Sequence, residues 1–217
     1  ALERSFGEIR LADFDSLDLS NLNRLRSGVH ELGGNKAVNT ARAIAELDPF
    51  LQVTVFTDGV TRDNMDRFLT EGGPLDVLIE ECDSVDIKII ARQRARALRI
   101  PVVMDTSDRG LVDVERYDLE PERPLLHGLL EDLDLTLVDR PLTVDEKLPF
   151  MARIVGLETI SARMRASLPE LGRTILTWPQ LASGVALGGA IVADVHRRIA
   201  IWELTCSGRW CIDLEAG

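Results

Sequence analysis

Lysine is scarce in this 217-residue chain: of 25 lysines and arginines only Lys36, Lys88 and Lys147 are lysine. An isolated lysine therefore draws interest. Lys36, at the start of a helical pattern, holds the suggestive position, whereas Lys88 and Lys147 read as solvated surface charges. Cysteine is scarce too. Cys82, Cys206 and Cys211 cannot complete a four-thiolate zinc site, so no zinc is expected, and an odd count does not make a disulfide framework. No apolar run reaches the roughly 18 residues that would suggest a membrane span, and ALERSFGEIR lacks the apolar core of a secretory signal. The expectation is a cytoplasmic protein with reduced thiols and no membrane partner. Positive charge is also in deficit: 36 acids give a net charge of -11 and a pI near 4.8. Such a surface repels phosphodiester backbones, which argues against sequence-independent nucleic-acid binding and leaves room for local basic pockets. What is present is 45% hydrophobic residues, enough for a well-buried core.

Along the chain, short apolar runs alternate with helical patterns. EIRLADFD (8–15) predicts a strand ending in acids, and GNKAVNTARAIAELDP (34–49) a helix stopped at Asp48-Pro49. QVTVFT (52–57) alternates as a strand, TRDNMDRFL (61–69) predicts a short capped helix, and LDVLIEEC (75–82) a strand buried on both faces. SVDIKIIARQRARALR (84–99) predicts a helix with a basic outer face, followed by strands in IPVVMDTS (100–107) and GLVDVERYDL (110–119). Strands separated by helices of ten or more residues indicate an α/β chain with a doubly wound, mostly parallel sheet. Residues 143–168 suggest two helices in an Arg-studded region. TWPQLASGVALGGAIVADVHRRIA (177–200) suggests a Gly-rich helix that packs closely against something, and IAIWELTCSGRWCIDL a terminal hairpin about Ser207-Gly208. The expected organisation is a nucleotide-binding domain over 1–142 and a C-terminal helical extension with hairpin over 143–217.

DFDSLDLSNLNR (13–24) carries the chemistry. An acid at the C-terminal end of a strand in a nucleotide-binding sheet accepts hydrogen bonds from ribose hydroxyls, and Asp13 is so placed, although acids at strand ends are commonly just solvated. Asn21 and Arg24 in the following loop, with Lys36 at the positive end of the next helix, supply three phosphate-compatible donors on one rim. Asp83, after the strand of 75–82, offers a hard oxygen to magnesium; alternatively, Asp83 or Ser84 caps the helix beginning there. Cys82 reads as core, His30 and His127 as loop residues, His196 as a helix-terminal cap, and Trp178 and Trp202 as packing anchors of the late helix.

DFDSLDLSNLNR, GGNKA, EECDS and IPVVMDTS together resemble the ThiF/MoeB/HesA family of ubiquitin-activating-like adenylyltransferases, over roughly residues 7–107, and residues 177–200 resemble its late helix. The stretch SDRGLVDVERYDLEP is most similar to the MoeY-like branch, in which such a domain is joined to a nitroreductase-like domain. The resemblance implies a Rossmann-like fold and adenylylation with MgATP. A carboxylate, usually the C-terminus of a small sulfur-carrier or ubiquitin-like protein, attacks the α-phosphate and expels pyrophosphate. By the motif, Asp13 would hold the ribose, Asn21, Arg24 and Lys36 the phosphates, and Asp83 the magnesium. It also implies a homodimer and a link to molybdopterin or related cofactor synthesis.

The family's first strand and Gly-rich turn are expected about 20 to 30 residues before Asp13. ALERSFG reads as the end of the first helix, so the sheet is expected to lack its first strand and Gly-rich loop. The same residues allow two other classes: a dimerising scaffold that keeps the fold without turnover, and an NAD-dependent oxidoreductase, which explains neither SNLNR nor Lys36.

Overall fold

The computed structural model describes residues 7–156, 160–170, 173–175 and 179–212. The helix end expected in ALERSFG, and Trp178, fall largely or wholly outside them. The chain forms two compact units, residues 1–73 and 74–217.

The first unit is a strand–helix–strand crossover. Strand β1 (Glu8–Ala12) lies parallel to β2 (Gln52–Phe56), in register from Glu8 opposite Gln52 to Ala12 opposite Phe56. Helix α1 (Lys36–Leu47) joins them, because Asn35 starts it and Asp48-Pro49 stops it. The Asn35 Oδ1 accepts from the Val38 amide at 3.1 Å while its Nδ2 donates to the Asp13 carbonyl at 2.8 Å, so one side chain caps the helix and ties it to the strand end. The β1 ladder stops earlier than the pattern 8–15 suggests, since Asp13 turns the chain by accepting the Asp15 amide on its own carboxylate at 2.8 Å. Helix α2 (Met65–Thr70) closes the unit. Arg10, with a side chain only 5% exposed, donates to the carbonyls of Phe68 and Gly73, both at 2.9 Å, and so neutralises the negative end of α2.

The second unit is a four-stranded sheet in the order β3-β4-β5-β6. Strands β3 (Leu78–Ile79) and β4 (Val102–Asp105) are parallel, joined by α3 (Val85–Ala97). Strand β5 (Val112–Glu115) is antiparallel to β4, and β6 (Gly208–Trp210) antiparallel to β5. The expectation of a mostly parallel sheet is corrected here: the turn between β4 and β5 is too short for the crossover that parallel pairing needs, so the fold is a mixed α/β sheet with parallel βαβ elements. Helices α4 (Val144–Val155) and α5 (Ala162–Ser167) occupy the Arg-studded region, as the pattern suggests. Helix α6 (Ala182–Ala200) sets Val192, Val195 and Ile199 on Val103, Val112 and Val114.

Two further expectations are corrected. Among the described residues no hairpin forms about Ser207-Gly208: the first apolar run, IAI, finishes α6, and β6 pairs with β5 instead. Trp202 is 65% exposed rather than an anchor. The glycines of α6 do serve close packing. A Cβ on Gly184 would meet the Ser107 carbonyl at 2.6 Å, and one on Gly188 would collide with the Asp105 carboxylate.

Candidate functional site

Asp13 follows the last residue of β1 and Lys36 opens α1, and both line one cavity of about 170 Å³ with Leu11, Ala12, Ala37 and Thr40. The parallel crossover brings them together: the carboxyl end of a strand and the amino end of the next helix meet on the same side of a βαβ unit. Segments 13–17 and 33–36 are stitched into a short ribbon by Lys36 N–H to the Asp15 carbonyl (2.9 Å), Leu17 N–H to Gly34 (2.8 Å) and Gly33 N–H to Leu17 (2.9 Å). The Lys36 Nζ lies 2.7 Å from the Asp15 Oδ2, an ion pair with side chains 23% and 51% exposed. Asp15, not singled out in the sequence, is thus the group that links Asp13 to Lys36.

The two loop donors are placed differently. Asn21 is 9% exposed, and its Oδ1 accepts the Asp18 amide at 3.0 Å, capping the 3-10 turn Leu19–Asn23. The Arg24 Nη1 donates to the Ser20 carbonyl at 3.3 Å and the Asn23 Oδ1 at 3.0 Å. Neither lines the Asp13 cavity; of the three expected phosphate donors, Lys36 does. A second, more apolar cavity of about 270 Å³ lies between this loop and α1, lined in part by Leu25, Arg26, Lys36 and Ile44. Lys36 therefore borders both.

In the second unit Asp83 is exposed and directly precedes Ser84, the residue at the cap position of α3. The Ser84 hydroxyl bonds the Asp86 carboxylate at 2.6 Å instead of a backbone amide, so it does not act as a side-chain cap. No group of three or more His, Cys, Asp or Glu able to hold a metal occurs among the described residues. Cys82 is half-buried, with its Sγ 3.6 Å from the Ser84 carbonyl, and burial pushes its thiol up; Cys206 and Cys211 are exposed.

A buried charge cluster in this unit is one that sequence reasoning missed. Arg92, completely buried, bridges Glu80 and Glu115, with its Nε 2.7 Å from the Glu115 carboxylate. Lys88 adds a second contact to Glu80 at 2.8 Å with a side chain 12% exposed, so it is not a solvated surface charge, and Arg92 is not on a basic outer face. Burial alone would raise the carboxyl of Glu80, but Lys88 and Arg92 beside it hold it down at about 2. The Tyr117 hydroxyl donates to Glu115, which also accepts the Leu126 amide at 2.5 Å. Close by, His127 donates from Nε2 to Asp113 at 2.9 Å and accepts from Arg123 Nη2 at 2.8 Å on Nδ1. His127 is thus an internal connector rather than a loop residue, and His196 is buried inside α6 rather than capping its end. A helical signal for Arg92 existed: Val85, Ile89 and Arg92 fall at i, i+4 and i+7, one face of α3.

Comparison with known proteins identifies the family and the fold. The chain is 51% identical over 216 residues to an uncharacterized protein of Mycobacterium tuberculosis (strain CDC 1551 / Oshkosh), covering 100% of this chain and 30% of that one. It is 33% identical over 118 residues to the tRNA threonylcarbamoyladenosine dehydratase of Escherichia coli (strain K12), covering 52% of this chain and 42% of the relative. Both relatives are thus matched over less than half their length. The crystal structure of PaaA superposes with a TM-score of 0.59 at 16% identity, over 95% of this chain and 65% of that one, a likeness of fold. Residues 4–133, more than half the chain, match the ThiF family, so this chain belongs to the ThiF family.

Proposed function

We propose that the chain is the nucleotide-binding part of an ATP-dependent adenylyltransferase. The observation that carries the reading is the pairing of Asp13 with Lys36 on one cavity, at a strand end and a helix start, in a ThiF-family chain. Asp13 would accept hydrogen bonds from the ribose hydroxyls, and Lys36 would meet the phosphates, where charge gathers as pyrophosphate leaves. Asn21 holds the SNLNR loop in shape, and Arg24 reaches the phosphates from it once the nucleotide draws its guanidinium from Ser20 and Asn23. An oxygen of the acceptor carboxylate attacks the α-phosphorus; the bond to the pyrophosphate oxygen breaks and that oxygen keeps the electron pair. The chain's residues need only align two anions and cancel the developing charge. Asp83 would hold magnesium. One exposed carboxylate fits an ion that keeps several waters and takes its other ligands from phosphates, and the magnesium would supply charge neutralisation there.

The acceptor we propose is the C-terminal carboxylate of a small carrier protein. The E. coli relative's name refers to tRNA, but a net charge of -11 disfavours a polyanion here. The same reading extends to a cytoplasmic homodimer, to a nitroreductase-like domain in the parent polypeptide and to molybdopterin or related cofactor synthesis.

Calorimetric titration of MgATP and of NADH into the natural full-length protein tests this. MgATP is expected to bind and NADH not to. Lys36→Ala is expected to weaken MgATP about tenfold to a hundredfold, the worth of a charge-assisted hydrogen bond, and Arg24→Ala to weaken it less. No MgATP binding would leave the dimerising scaffold as the better reading, and NADH binding alone would favour an oxidoreductase.

A further inference from the structure

The role of the pair formed by Lys36 and Asp15 rests on the nucleotide reading. A lysine at the first position of α1 sits at the positive end of the helix dipole, where its charge is unfavourable unless offset. The Asp15 carboxylate supplies that offset at 2.7 Å. Asp15 is itself fixed from two sides, its N–H on the Asp13 Oδ1 at 2.8 Å and its carbonyl on the Lys36 N–H at 2.9 Å. Its carboxylate therefore projects from backbone tied to both ends of the cavity.

An ammonium carries three donors, and one of them satisfies Asp15. A free lysine loses about 2 kcal/mol of rotamer freedom when it is immobilised, and one already held loses less when a ligand arrives. Lys36 borders two cavities, and only one of them contains Asp13. A restraint on the amine thus acts on which ligand atoms it can meet.

We propose that Asp15 is a positioning residue, whose carboxylate holds the Lys36 ammonium at the rim of the Asp13 cavity so that it meets the nucleotide's phosphates already oriented. Asp15 acts through Lys36 and does not itself touch the nucleotide. Asp15→Asn keeps the backbone N–H and carbonyl, so the bond that orients Asp13 survives while the hold on the amine is lost.

Two measurements on the natural full-length protein test the proposal. In the first, calorimetry with MgATP and with adenosine, Asp15→Asn is expected to weaken MgATP about tenfold and leave adenosine within about twofold. In the Lys36→Ala background the same change is expected to add nothing. Unchanged or tighter MgATP binding by Asp15→Asn, or an equal loss in the Lys36→Ala background, overturns the proposal. In the second, acetylation of the ligand-free protein is followed at each lysine by mass spectrometry, where three lysines are readily told apart. Asp15→Asn is expected to speed acetylation of Lys36 relative to Lys147; equal rates overturn the restraint itself, whatever the protein binds. A wild-type protein that shows this restraint yet binds no MgATP would instead overturn the nucleotide reading, and with it the role given to Asp15.

Discussion

Glu80 shows how a single buried side chain is governed by its neighbours. At 5% exposure an isolated carboxylate would be neutral, yet Lys88 and Arg92 keep it ionised down to about pH 2, against an ordinary value of 4.5. Between those two pH values the unfolded chain binds the proton that folded Glu80 refuses. The contribution is therefore fully present above about pH 4.5 and is lost as pH falls towards 2, by on the order of 3 kcal/mol. Glu80→Gln is expected to remove that slope from the urea-unfolding free energy. It also lowers stability at pH 7, because Lys88 and Arg92 then share one carboxylate fewer in the interior. An unchanged acid profile in the variant would mean that Glu80 is not the titrating group. At this scale the sequence was legible for Asp13 and Lys36, whose surroundings are local. It was not legible for Glu80 and Glu115, whose partners lie 12 and 23 residues away from them at Arg92.

Among the elements, α6 makes the sharpest prediction because two adjacent glycines face opposite conditions. Gly188 lies against the Asp105 carboxylate, and a methyl there has no room; Gly189 has nothing within 4 Å of an added Cβ. Gly188→Ala is expected to destabilise the protein by about 1–3 kcal/mol through overpacking, whereas Gly189→Ala should stabilise it by up to about 1 kcal/mol through helix propensity. Thermal unfolding of the two variants checks the difference in sign. Elements with strong local signals were read well from sequence: α1 has its Asn35 cap and Pro49 stop, and β2 its alternating valines. β3 covers only Leu78 and Ile79, although the Glu80 N–H still donates to the Val103 carbonyl at 2.9 Å while its carboxylate meets Lys88 and Arg92. The hairpin failed because IAI continues the periodicity of α6 as readily as it begins a strand. The partner that β6 takes instead, β5, is distant in sequence, and no local signal names it.

At the scale of the whole molecule, charge is the property that discriminates among acceptors. Residues 1–73 carry eight lysines and arginines against twelve acids, and the remainder 17 against 24, so neither unit is a basic platform. Several of the arginines are also engaged within the chain: Arg10 on the end of α2, Arg92 on two glutamates, Arg116 on Asp118 and, at the surface, Arg140 on Glu146. A protein that recognises tRNA gains most of its affinity by releasing counterions from phosphates with free basic side chains, and that affinity falls steeply with salt. This chain has little with which to do so. In fluorescence anisotropy with labelled bulk tRNA at about 0.15 M salt, the 217-residue chain is expected to show no binding at micromolar concentration, and lowering the salt is expected to recover little. Tight binding with a steep salt slope would mean that a local basic surface outweighs the net charge, and would move the proposed acceptor from a carrier protein's carboxylate towards the nucleic-acid substrate named for the E. coli relative.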